Sequence, residues 1–142
     1  MKRRILIIED DPLIGLMLEE LIEALGYASA GVVQRVETAL DRVRVCDFDA
    51  VIIDVHLADG ETSGPIAAAL NAAAIPFLVS TGGFVKTPLP AWDGHPVLLK
   101  PFTRESLEAA LENIGLTASQ NSAATPADTA SADQAPRSPA AG

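Results

Sequence analysis

The chain alternates short runs of branched apolar residues with longer stretches in which apolar residues recur every three or four positions. The runs at 4–8 (RILII), 30–33 (AGVV), 50–55 (AVIIDV), 77–80 (FLVS) and 97–99 (VLL) have the length of strands. Those at 5–8, 51–53 and 97–99 are apolar on successive residues, the pattern of strands covered on both faces. Between the first two runs, Leu13, Leu16, Met17, Leu21, Ile22 and Leu25 recur at helical spacing, and Gly26 is placed to end that helix. Val36, Ala39, Leu40 and Val43 mark a second helix, and the alanine-rich stretch 64–73 a third. Thr103 is placed to cap a last helix running through Ile114, with Leu107, Ala110, Leu111 and Ile114 on its apolar face. One unit is irregular. Residues 82–96, GGFVKTPLPAWDGHP, hold three prolines and three glycines, and a regular helix there would lose hydrogen bonds at Pro88 and Pro90.

Strand–helix units of this length predict an α/β fold: a doubly wound, five-stranded parallel sheet with right-handed crossovers, its fourth helix irregular or missing. Composition sets the limits of that domain. Of the 142 residues 49% are hydrophobic, enough for one packed core. From Thr117 the chain has no large apolar residue and no aromatic, so 1–116 is expected to fold and 117–142 to form a disordered Ala/Ser/Thr/Pro tail, with no second domain. No apolar run approaches the roughly 20 residues that span a bilayer. The opening MKRRILIIEDD has only four apolar residues before its acids, which does not suit a signal peptide. A lone cysteine, Cys46, excludes a disulfide framework and fits a reducing cytoplasm; its plain reading is a half-buried residue near a helix end. The net charge of −9 argues against a nucleic-acid surface and favours a cation or a basic protein partner.

Ligands of such sheets bind outside the carboxyl ends of the strands, so the residues at those ends carry the chemistry. The first strand ends in Glu9, Asp10 and Asp11; the third near Asp54; the fourth at Thr81; the fifth at Lys100 and Pro101. Carboxylates from two strands then converge on a hard, oxygen-seeking cation, and Mg²⁺ needs only one or two carboxylates plus a phosphate and water. Asp54 lies inside an apolar run, an odd place for a packing residue. Beside a metal, its carboxylate can act as a nucleophile toward a phosphoryl group. Lys100 would bring an ammonium, and Thr81 a hydroxyl, to the developing negative charge.

These motifs, ILIIEDDP, VIIDVHLADG, STG and KPF, stand in the order and spacing of the receiver domains of bacterial two-component response regulators, which residues 3–115 resemble. The resemblance implies that Asp54 is the phosphoacceptor and Asp10 a direct Mg²⁺ ligand. It gives Glu9 a contact to the metal through water, and has the His56 backbone carbonyl complete the metal site. Thr81 and Lys100 match the switch hydroxyl and the family lysine, the latter followed by a cis proline. Asp11 has no family role and is left to solvent or to helix capping. PFLVSTGGF, 76–84, is similar to the motif of the single-domain receivers called the FAT GUY group, associated with stress-signalling phosphorelays, although Gly83 departs from its aromatic position. Val97 replaces the usual aromatic switch residue and Ala58 the usual loop proline.

The implied partners are a histidine kinase or histidine phosphotransfer protein and a downstream protein, with signalling through contacts or onward phosphoryl transfer rather than enzymic turnover. Two alternatives stand beside this one. A pseudo-receiver would bind partners without phosphorylation, but the set Glu9, Asp10, Asp54, Thr81 and Lys100 is intact. An aspartyl-nucleophile phosphatase would place a second Asp where this chain has His56. His95 is expected to be an exposed loop residue, and Phe84 and Trp92 to be small-core anchors.

Overall fold

In the computed structural model, which describes residues 2–55, 57, 62–81 and 94–116, the apolar runs are strands and the periodic stretches are helices. In chain order these are β1 (Arg4–Ile8), α1 (Pro12–Ala24), β2 (Ala28–Val33), α2 (Val36–Val45), β3 (Ala50–Asp54), α3 (Gly64–Ala72), β4 (Phe77–Thr81), β5 (Val97–Leu99) and α4 (Arg104–Asn113). The strands are all parallel and ordered β2-β1-β3-β4-β5, the flavodoxin-like winding.

Side chains alternate across the sheet, so each strand feeds two cores. Ile5, Ile7, Ala50, Ile52, Leu78 and Leu98 face α1 and α4, meeting Leu18, Ile22, Leu107 and Leu111. Leu6, Ile8, Val51, Ile53, Phe77 and Val79 face α2 and α3, meeting Ala39, Ile66 and Leu70. Each fully buried aliphatic side chain contributes roughly 1.5–3 kcal/mol, which is why the central strands carry no alternation of polar residues.

The helix ends follow from local chemistry. Asp11 caps α1: its carboxylate accepts from the Leu13 and Ile14 amides at 2.9 and 3.4 Å, with Pro12 in the first turn. At the far end Gly26 turns left-handed (φ 99°). The Tyr27 amide then donates to the Ile22 carbonyl and the Gly26 amide to the Glu23 carbonyl, a Schellman closure. Gly15 lets α1 lie close on β2, since a Cβ there would stand 2.8 Å from a Val32 methyl. Thr103 caps α4 in a reciprocal box with Ser106.

Several expectations are corrected. β2 begins at Ala28, two residues early, because its backbone pairs with β1 from Arg4 across a bulge that leaves Ala30 out of register; Arg42 donates to the Ala30 carbonyl at 2.7 Å. β5 is covered on one face only, with Val97 54% and Leu99 63% exposed, because Leu98 packs under α4 while Val97 and Leu99 join neither core. Cys46 is exposed, not half-buried, and caps α2 in the left-handed conformation. His95 is not a free loop residue. Its ring stacks on Phe77 with centroids 3.7 Å apart. Its Nδ1 lies 3.2 Å from the Phe77 carbonyl oxygen and its Nε2 2.9 Å from the Asn71 amide oxygen. The irregular fourth unit with Phe84 and Trp92, His56, and the segment 117–142 lie outside the described residues. Among the described residues no helix is long and apolar enough to cross a membrane.

Candidate functional site

The carboxyl end of the sheet gathers the predicted residues because the register aligns them. Ile8 pairs with Ile53 and Asp54 with Ser80, so Glu9, Asp54 and Ser80 fall in one row across β1, β3 and β4. Glu9 is held there by its own amide, which donates to the Val33 carbonyl at 2.9 Å. Glu9 is 1% exposed and Asp54 5%, while Asp10 remains exposed. Carboxylate oxygens of the three lie within 4.8 Å of one another.

Lys100 is the counter-charge. Its backbone amide donates to the Thr81 carbonyl at 2.8 Å, fixing the end of β5 beside the end of β4. Its ammonium donates to Glu9 Oε1 at 3.0 Å and stands 3.5 Å from Asp54 Oδ1. The Lys100–Pro101 peptide is cis. Thr81 is buried at the end of β4.

Two carboxylates buried beside one ammonium cannot both be charged cheaply. Burial, and then the hydrogen bond and negative charge of Asp54, push Glu9 up to about 7 against the pull of Lys100 and the Asp11 amide. That amide, 3.2 Å from Glu9 Oε2, links the cap of α1 to the site, a contact that composition could not announce. Burial pulls the Lys100 ammonium down, but its hydrogen bond to Glu9 and the charges of Asp54 and Glu9 together outweigh this and raise it. The donor set is all hard oxygen, and its crowding of negative charge is what a cation would relieve. A small dication fits such a site, with Glu9, Asp10 and Asp54 as candidate holders. Ser80, a fully buried hydroxyl in the same row, was not singled out by the sequence, where it reads as one more small residue in FLVST.

No protein-family model and no curated protein sequence matches the chain. Solved structures do. The solution structure of SdrG from Sphingomonas melonis Fr1 is 43% identical over 80% of this chain and 97% of that one, with a TM-score of 0.73. SdrG from Pseudomonas melonis Fr1, in its BeF₃-activated conformation, is also 43% identical, over 80% and 96% of the chains, with a TM-score of 0.69. The PhyR response regulator receiver domain of Erythrobacter litoralis is 26% identical over 82% and 93%, with a TM-score of 0.67. Sheet order, the rim of carboxylates facing a lysine, and these likenesses agree: the chain belongs to the receiver domains of response regulators.

Proposed function

We propose that this receiver is a single-domain phosphoacceptor that takes a phosphoryl group onto Asp54 in a Mg²⁺-dependent reaction. The observation that carries the reading is the surroundings of Asp54: a nearly buried carboxylate, 3.5 Å from an ammonium and within 4.8 Å of two further acids on a neighbouring strand. Nothing in packing calls for that convergence. An Asp54 oxygen attacks the phosphorus of a phosphohistidine, the P–O bond forms as the P–N bond breaks, and the imidazole leaves neutral when its other nitrogen carries a proton. Glu9, Asp10 and Asp54 would hold the Mg²⁺ with the His56 carbonyl that the resemblance implies. When bound, the metal supplies positive charge to the phosphoryl oxygens. Lys100 orients and neutralises the transferred group from the β5 side, and the Thr81 hydroxyl reads its arrival.

A protein phosphodonor, a histidine kinase or histidine phosphotransfer protein, suits the rim. Leu13, Leu16 and Met17 of α1 are exposed beside it. A groove of about 330 Å³, lined by Ile14, Met17, Lys100, Pro101 and Phe102, runs up to the lysine. Likeness to the PhyR stress response regulator, matched over 45% of that chain, supports a place in stress signalling, for which a cytoplasmic phosphorelay is the setting we propose. The match along 97% of SdrG supports action as a lone receiver, through partner contacts or onward transfer. The test is incubation with a small acyl phosphate and Mg²⁺ followed by intact mass. One phosphoryl adduct, lost in Asp54→Asn and in chelator, is the expected result. An adduct that survives Asp54→Asn, or none in the wild type, leaves the pseudo-receiver as the better reading.

A further inference from the structure

Among the described residues the Ser80 hydroxyl is fully buried and has no hydrogen-bond partner. A lone buried hydroxyl costs the resting state its desolvation, so its presence calls for an explanation. Its position says what could satisfy it. Ser80 is in register with Asp54 on β3 and with Leu98 on β5. Alternation puts it on the α1–α4 face, two residues beyond Leu78. Lys100 starts from the end of β5 and delivers its ammonium to Asp54 on β3 and Glu9 on β1. β4 lies between them. Lys100, one residue beyond Leu99, alternates onto the same face as Leu98 and Ser80, and it lies beside Ile14 and Met17 of α1. Its ammonium ends at Asp54 and Glu9, across β4 from its own strand.

We propose that Ser80 is a positioning residue for Lys100: its hydroxyl accepts from the ammonium once Glu9 is engaged elsewhere and Lys100 draws back over β4 to the Asp54 side. This rests on the phosphoacceptor reading and deepens it. Glu9 can serve Lys100 or a cation but not both fully, and a lysine that loses this partner, the nearer of its two at 3.0 Å, has three donors to place. The phosphorylated carboxylate takes one or two. Ser80 is the buried acceptor on the way back. Thr81, on the opposite face, cannot substitute.

The test compares the resting chain in chelator with the chain binding beryllofluoride, a phosphoryl mimic, at saturating Mg²⁺. Ser80→Ala is expected to leave the resting denaturation midpoint unchanged or higher, because an unsatisfied hydroxyl is removed. It is expected to weaken beryllofluoride binding about tenfold, the scale of one hydrogen bond to a charged group. Ser80→Thr should keep wild-type affinity. In a Lys100→Met background, Ser80→Ala should change affinity less than about twofold, since the serine acts through the lysine. A lower resting midpoint for Ser80→Ala would overturn the proposal, as would unchanged affinity or an undiminished loss without the ammonium. A wild-type chain that takes up no beryllofluoride at all would overturn the phosphoacceptor reading and this one with it.

Discussion

At the amino end of the sheet the chain turns on left-handed residues, while at the carboxyl end it turns on carboxylates. Gly26, Cys46, Ala74, Gly94 and Gly115 all have positive φ and stand where a helix ends or a strand is about to begin. The closures after α1, α3 and α4 share one pattern of amide-to-carbonyl bonds: Tyr27 to Ile22, Ile75 to Leu70 and Leu116 to Leu111. His95 adds a clasp, tying the entry of β5 to Phe77 and to Asn71 in α3. Arg3 Nε, just before β1, is buried without a hydrogen-bond partner, but the closures themselves are complete. At the opposite end, Glu9 and Asp54 are buried side by side with one ammonium between them, and Ser80 has no partner. One end is arranged to be stable and the other to be unfinished until something binds. Variants should therefore separate into those that cost folding and those that cost response.

The largest effect expected is at the amino end. Phe77 is fully buried and stacks on His95, so Phe77→Ala should cost about 3–5 kcal/mol, read by urea denaturation. Below its new midpoint the variant should still accept a phosphoryl group on Asp54. If chemistry is lost while the fold stands, the two ends are coupled and the separation fails.

At the carboxyl end, pH exposes the stored repulsion. Glu9 holds its proton to about pH 7 when folded, against 4.5 when unfolded. With a raised acid the folded form binds the extra proton, so its stabilisation is complete below about 4.5 and is lost as pH rises toward 7. The slope is at most about 1.4 kcal/mol per unit, or roughly 3 kcal/mol across the window. Lys100, also raised, acts elsewhere: its contribution is present below 10.5 and lost above. In chelator, Glu9→Gln should flatten the fall between pH 4.5 and 7. An equally steep fall in the variant would trace the strain to another group.

Most of this was legible where physics is local. Four apolar residues before three acids would suit a solvated turn as well as a strand delivering charge to a rim, until Asp54, Thr81 and Lys100 at the other strand ends supply partners. Asp54 inside VIIDV stands out because nothing apolar needs it. Thr103 and Gly26 announced helix ends by their own conformational preferences. What could not be read depends on partners distant in sequence. His95, within GHP, looks like a turn residue until Phe77, eighteen positions away, comes under its ring. The early start of β2 depends on backbone pairing with β1 through a bulge, not on its small side chains. Val97 and Leu99 have the pattern of a doubly covered strand, and only the packing of the helices leaves their face outside both cores. Ser80 is invisible for the same reason: its meaning comes from a lysine twenty residues on, reaching across to Glu9.

The helix ends offer a smaller effect of opposite sign. Ala74 occupies at φ 58° the left-handed position that Gly26 and Gly115 occupy in the other closures. A Cβ there costs roughly 1–2 kcal/mol, partly offset by the chain entropy that glycine loses on folding. Ala74→Gly should therefore gain about 1 kcal/mol, measured by denaturation, and leave beryllofluoride affinity unchanged. A loss of stability would mean that the alanine methyl packs usefully at that turn.

The smallest effect expected is from removing 117–142. The domain has a natural stop at Leu116: its side chain is buried, its amide closes α4 onto the Leu111 carbonyl, and its own carbonyl oxygen lies 3.5 Å from the Tyr27 hydroxyl. Beyond it, TASQNSAATPADTASADQAPRSPAAG offers only alanine and threonine methyls and proline rings as apolar surface. Burying those could not offset the roughly 1–2 kcal/mol of backbone entropy that each ordered residue loses. Truncation after Leu116 should leave the thermal midpoint within about 1 °C and the phosphorylation rate unchanged. The outcome that would break the comparison is a drop of several degrees, about 1 kcal/mol for a domain this size. It would show that the tail packs against the domain and that closure at Leu116 is incomplete without it.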